Sequence, residues 1–91
     1  KIIVCDNNVH GSILKGQADK YGSENAFGTI MDSPDFAQIA RAYGAKAWTV
    51  KTTDEWRSSF EEALSHNGPA LIHLIFDPRD IAPYGNEKDA V

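Results

Sequence analysis

This sequence of 91 residues predicts a three-layer α/β/α fold built on a parallel sheet. Three observations carry the prediction. Short apolar runs of strand character occur at residues 2–5, 45–50 and 70–76. Segments with helix-start signals lie between them, and turn-forming residues punctuate the boundaries. Strands separated by helices pair in parallel through crossover connections, so the expected product is a partial sheet of about three strands with helices on its faces.

Ile2, Ile3, Val4 and Cys5 form a continuous apolar run, the pattern of a strand buried on both faces. Residues 12–21 read as a helix, broken in pattern by Gly16, and residues 22–32 as a polar loop without a clear period. Ser33-Pro34-Asp35 is a helix start. Ser33 can cap free backbone N–H groups, Pro34 suits the first helical position, and Asp35 favours the positive end of the dipole. Phe36, Ile39, Ala40 and Tyr43 then share one face, and Gly44 supplies a left-handed stop. After the strand at 45–50, Thr52-Thr53-Asp54-Glu55 has a capping-box pattern, and Trp56, Phe60, Ala63 and Leu64 form an apolar stripe. Asn67-Gly68-Pro69 ends that helix, the strand at 70–76 follows, and Asp77-Pro78 closes it. Residues 1–78 are expected to form the folded portion, with 79–91 as a C-terminal tail. Because Lys1 already lies in a strand, the chain reads as a piece of a longer polypeptide.

Composition narrows the function classes. A net charge of −4, with nine scattered Lys and Arg, argues against nucleic acid as a partner. The longest apolar run is interrupted by His73 and is far too short to span a membrane. A single cysteine excludes an internal disulfide or a cysteine-based metal cluster, and Cys5 reads as a small buried hydrophobe. A reduced, cytoplasmic setting is the expectation. Neither G-x-G-x-x-G, a P-loop nor G-x-S-x-G occurs.

The stretch of greatest chemical interest is "VCDNNVHGSILKGQ", residues 4–17, at the carboxyl end of the first strand. Ligands of parallel sheets bind outside such ends. Asn carboxamide oxygens and backbone carbonyls are hard, neutral ligands that suit Mg²⁺ or Ca²⁺ better than zinc. A strand that ends in Asn and turns into a helix can offer those oxygens to a metal. It can also offer the helix N-terminus, at Gly11 and Ser12, to a phosphate. The same three polar residues also suit an Asx-turn that merely ends a strand.

An apolar strand, an Asn pair, three variable residues, then Gly and a helix resembles the second half of the thiamine-diphosphate motif. That motif belongs to the diphosphate-binding domain of the acetolactate synthase and pyruvate decarboxylase superfamily. The segment "SPDFAQIARAYGAKAWTVKTTDEWRSSFEEALSHNGPALIHLIFDP" is similar to the family's closing portion along nearly its whole length. In the family a glycine follows the metal-binding Asn by four residues, so Gly11 points back to Asn7. The resemblance then implies Mg²⁺ bound by the Asn7 side-chain oxygen and the Val9 main-chain carbonyl, with Gly11 and Ser12 beside the cofactor. A register slipped by one residue assigns those roles to Asn8 and His10. Asp6 stands where the family usually has Asn.

The resemblance further implies that Ser12 and Gly16 line a substrate pocket, roomier than where relatives carry bulkier side chains. The implied cofactors are thiamine diphosphate and Mg²⁺. The implied parent is an enzyme that decarboxylates 2-oxo acids or makes and breaks C–C bonds, with a 2-oxo acid or aldehyde as substrate. Its partners would be the rest of the parent polypeptide and further copies, as a dimer or tetramer. The opening Gly-Asp-Gly half of the motif and the pyrimidine-binding domain are absent from these residues, so the 91-residue chain alone is expected to be inactive. A stand-alone flavodoxin-like binding module without catalysis is the alternative.

Overall fold

The computed structural model describes residues 1–80; the tail at 79–91 therefore falls, from residue 81 on, outside the described residues. The described residues divide into two compact units: Lys1–Asp6 with Ser33–Phe76, and Asn7–Asp32 with residues 77–80.

The first unit holds strands β1 (Ile2–Asp6), β2 (Lys46–Val50) and β3 (Ala70–Ile75), in the order β1-β3-β2. Both pairings are parallel, with Val4 opposite His73 and Trp48 opposite Ile72. Helices α2 (Phe36–Ala42) and α3 (Thr53–Ser65) belong to the same unit. Alternation along the strands sends neighbouring residues to opposite faces. On one face Val50, Ala70 and Ile72 bury against Ala63, and Trp48, Trp56, Phe60 and Leu74 pack around them. On the other, Ala37 and Ala40 of α2 meet Ala47, flanked by Ala45 and Leu71. Helices therefore cover both faces, which gives the three expected layers. Val50 and Ile72 are the largest fully buried side chains, each worth about 1.5–3 kcal/mol of burial.

Several local expectations are corrected. Among the described residues β1 pairs with β3 alone, and Ile2, Ile3 and Cys5 are exposed, so neither the strand buried on both faces nor the buried cysteine is found. Helix α2 is capped by Asp35, whose carboxylate accepts the Gln38 N–H at 3.1 Å; Ser33 is not the cap. Ala37 and Ala40 face the sheet while Ile39 and Tyr43 are exposed, because the close approach to Ala47 admits only small side chains. Thr52 caps α3 as expected, accepting from the Glu55 N–H. The reciprocal bond runs to Lys51 N–H at 2.7 Å, one residue earlier than a capping box requires. Leu64 is exposed and Ser59 takes its place inside. Gly44 has φ +87°, the left-handed stop after α2.

The second unit holds helix α1 (Gly11–Tyr21), which continues unbroken through Gly16, and a 3₁₀ turn at Ser23–Asn25. Residues 27–31, read as part of a loop, carry Ile30, which forms an isolated antiparallel bridge with Val9. Leu14 and Thr29 are buried. Among the described residues no helix is long and apolar enough to cross a membrane.

Candidate functional site

Strand β1 ends at Asp6, and the residue after it begins the turn. The Asn7 side-chain oxygen accepts the Val9 N–H at 3.3 Å, which closes an Asx-type turn. Asn8 adopts φ +62°, a left-handed conformation that Asn tolerates better than most residues. Val9 then pairs with Ile30: Met31 N–H donates to the Asn8 carbonyl and His10 N–H to the Thr29 carbonyl, each at 2.8 Å. In an antiparallel pair bonded through its flanking residues, the central residue turns its own N–H and C=O to the opposite edge. The Val9 carbonyl therefore emerges on the same side as its N–H, the side on which the Asn7 oxygen lies.

Helix α1 starts directly afterwards. His10 stands at its N-cap without a side-chain hydrogen bond, and the first turn holds no acidic residue. Its opening N–H groups are thus left to a ligand or to water, and the dipole there favours an anion. The His10 carbonyl is already engaged, accepting the Leu14 N–H at 2.8 Å in the first helical turn.

Four of the sequence-derived candidates, Asn7, Val9, Gly11 and Ser12, thus meet in one turn. Gly16 lies farther along α1, on the face it shares with Ser12 at a spacing of four residues. Both are exposed, and a Cβ built at Gly16 meets nothing within 4 Å. The donor set of the turn is two neutral oxygens. Among the described residues no group of three or more His, Cys, Asp or Glu gathers as a metal cage. A hard cation that shares its shell with phosphates and water needs few protein ligands, and Mg²⁺ fits this description. Thiamine diphosphate would add the phosphates.

At the end of β1 the first unit carries a polar cluster that sequence reading did not assemble. Asp6 accepts from the Ser33 hydroxyl at 2.8 Å through one oxygen and from His73 Nε2 at 2.7 Å through the other. The side chains are 11% and 4% exposed for Asp6 and His73. Phe36 meets the imidazole edge to face at 5.1 Å. In the sequence Asp6 stands out as a departure from Asn, and His73 only as a polar break in the longest apolar run. His73 lies two residues before Ile75, the partner of Asp6 on the neighbouring strand, so the pairing follows from the strand order and register.

Comparison with known proteins shows the family. Residues 1–74 match the family described as thiamine pyrophosphate enzyme, C-terminal TPP binding domain. The chain is 31% identical over 84 residues to a probable acetolactate synthase large subunit of Methanocaldococcus jannaschii, covering 90% of this chain and 14% of that protein. It is 27% identical over 77 residues to the acetolactate synthase isozyme 2 large subunit of Escherichia coli, with 85% and 14% covered. A 2-hydroxyacyl-CoA lyase of Arabidopsis thaliana is 28% identical over 86 residues, with the same coverage of 85% and 14%. The chain thus spans about one seventh of the length of these relatives.

Proposed function

The chain belongs to the C-terminal TPP-binding domain family of thiamine pyrophosphate enzymes, and on that premise we propose that the turn after β1 is its metal and diphosphate site. In this reading Asn7 Oδ1 and the Val9 carbonyl hold Mg²⁺. The N–H groups of Gly11 and Ser12 at the start of α1 receive the diphosphate, where the uncapped helix end and its dipole favour negative charge. Ser12 and Gly16 border the substrate pocket. Residues 1–78 form the C-terminal portion of the cofactor domain, and 79–91 form its tail.

The observation that carries the reading is the Asn7–Val9 contact together with the Val9–Ile30 bridge, which turn two neutral oxygens to one edge. Val9 fixes the orientation of Asn7 through its N–H and offers its own carbonyl alongside. The turn therefore comes preorganised, and little ordering is required when a cation arrives. Thiamine diphosphate, when bound, supplies the electron sink that lets a bond beside a carbonyl carbon break or form. The residues of this chain bind and orient it.

The activity proposed for the whole enzyme is decarboxylation of a 2-oxo acid, or joining or cleavage of a C–C bond next to a carbonyl, as in an acetolactate synthase-like reaction. The substrate class is a small 2-oxo acid or aldehyde. The partners are the remainder of the parent polypeptide, with its carboxylate metal ligand and pyrimidine-binding domain, and a further copy in a dimer or tetramer. The 91 residues alone are inactive in this account, and the enzyme is cytoplasmic.

Calorimetric titration of Mg²⁺ into the intact apoenzyme, with thiamine diphosphate present, tests the assignment. Asn7→Ala should weaken Mg²⁺ binding by at least about tenfold, the scale expected for loss of a group at a metal site. Asn8→Ala should weaken it far less. The reverse order would establish the slipped register, and equal affinities in both variants and the parent would refute the site.

A further inference from the structure

We infer that Gln17, acting with Thr29, is a positioning residue that holds the Val9 carbonyl in place for the metal. This inference rests on the assignment of Asn7 and Val9 proposed above. The bridge that orients Val9 is one residue long, with one hydrogen bond on either side of the Val9–Ile30 pair. Such a bridge has little stability of its own. What fixes Val9 is therefore whatever holds the returning segment 27–31 against residues 8–10.

Side-chain burial does not hold the start of that segment. Phe27 is 86% exposed, and Gly28, at φ +70°, has no side chain to pack. Instead a single carboxamide on α1 grips the backbone there. Gln17 Nε2 donates to the Phe27 carbonyl at 3.0 Å, and Gln17 Oε1 accepts the Phe27 N–H at 3.3 Å. The two bonds reproduce the exchange that a neighbouring strand would make. Oε1 also accepts from the Thr29 hydroxyl at 3.2 Å. Gln17 thus makes three of the four hydrogen bonds its amide permits.

Thr29, 4% exposed, passes the constraint on. Its carbonyl accepts the His10 N–H, directly after Val9, while Met31 N–H takes the Asn8 carbonyl directly before it. A closed circuit results. The turn launches α1, α1 carries Gln17, Gln17 grips residues 27 and 29, and that segment returns to clamp the turn. A metal ligand held from outside its own shell loses affinity when the outer contact is removed, even though no ligand atom changes.

The test is Mg²⁺ titration into the intact apoenzyme with thiamine diphosphate present, read by calorimetry beside the melting temperature of the apoenzyme. Gln17→Met keeps length and removes all three bonds; Thr29→Val keeps size and removes the hydroxyl. Each should raise the Mg²⁺ dissociation constant by about tenfold, while the melting temperature stays near that of the parent. Thr29→Ser, which restores the hydroxyl, should recover the parent affinity. Unchanged affinity in Gln17→Met and Thr29→Val, with Asn7→Ala still weak, would overturn the brace and leave the site intact. Weakening that merely tracks a fall in melting temperature would reduce Gln17 to a structural residue and also overturn it. Should Asn7→Ala itself bind Mg²⁺ normally, the site assignment fails and the brace fails with it.

Discussion

At residue scale the most informative side chain is Asp6. The Asp6 carboxylate accepts from the Ser33 hydroxyl through one oxygen and from His73 Nε2 through the other, and an Asn in its place would keep only one acceptor oxygen. A carboxylate accepts from both, which gives the departure from Asn a local cause. His73 Nδ1 is buried without a hydrogen-bond partner among the described residues, so Asp6 is the hydrogen-bonding anchor of that ring. Asp6→Asn removes the charge from both bonds and should cost about 1–3 kcal/mol of local stability. Amide hydrogen exchange in β1 of the intact enzyme should then quicken by about tenfold or more, since local opening is governed by that difference. Unaltered β1 exchange would contradict the role given to Asp6. This cluster was only half legible in the sequence. Both residue types stood out, but their partnership depends on strand order, and Ser33 was assigned to a cap that Asp35 provides instead.

At the scale of elements, the strands and helices follow the local rules, with the misreadings confined to faces and ends. Residues 45–50 and 70–76 read as strands because β-branched and aromatic residues cluster between turn formers, and β2 and β3 lie within one residue of those bounds. Gly16 was read as a weakness in α1. The helix passes through it because one glycine costs only about 1 kcal/mol relative to Ala and does not end a helix. The inner face of α2 was misread because periodicity ranks large apolar residues first, while the packing against Ala47 requires small ones. The bridge between Val9 and Ile30 had no sequence signal, since pairing one residue in a polar loop depends on the Gln17 grip rather than on a pattern. Gly16 also yields a test of the pocket. Open space around its Cβ position leaves room for a large side chain, so Gly16→Trp should narrow the range of acceptors used by the intact enzyme. Product analysis with competing aldehydes or 2-oxo acids would measure this, and an unchanged product distribution would remove Gly16 from the pocket.

At the scale of the whole chain, the fold class was legible because it depends only on the order of elements. What a single sequence does not report is which strand ends at an edge. β1 was read as enclosed from its composition, yet Ile2 and Ile3 are exposed on a strand with one partner. Unpaired strand edges with apolar side chains are sites of association. The isolated 91-residue chain should therefore self-associate in sedimentation velocity as concentration rises, and a monodisperse monomer throughout would contradict it. The match over residues 1–74 favours a cofactor domain over the stand-alone binding module. The chain spans about one seventh of the length of the relatives it matches, and the site proposed within it is one preorganised turn.

The most direct test of that turn is electron–nuclear double resonance on the intact enzyme, with Mn²⁺ in place of Mg²⁺ and thiamine diphosphate bound. Valine labelled with ¹³C at its carbonyl should show a strong hyperfine coupling to the metal, because the proposed site has Val9 coordinate through the oxygen bonded to that carbon. Histidine labelled in the same way should show none. Coupling to the histidine carbonyl instead would shift the register to Asn8 and His10, and coupling to neither would show that the turn after β1 does not hold the metal.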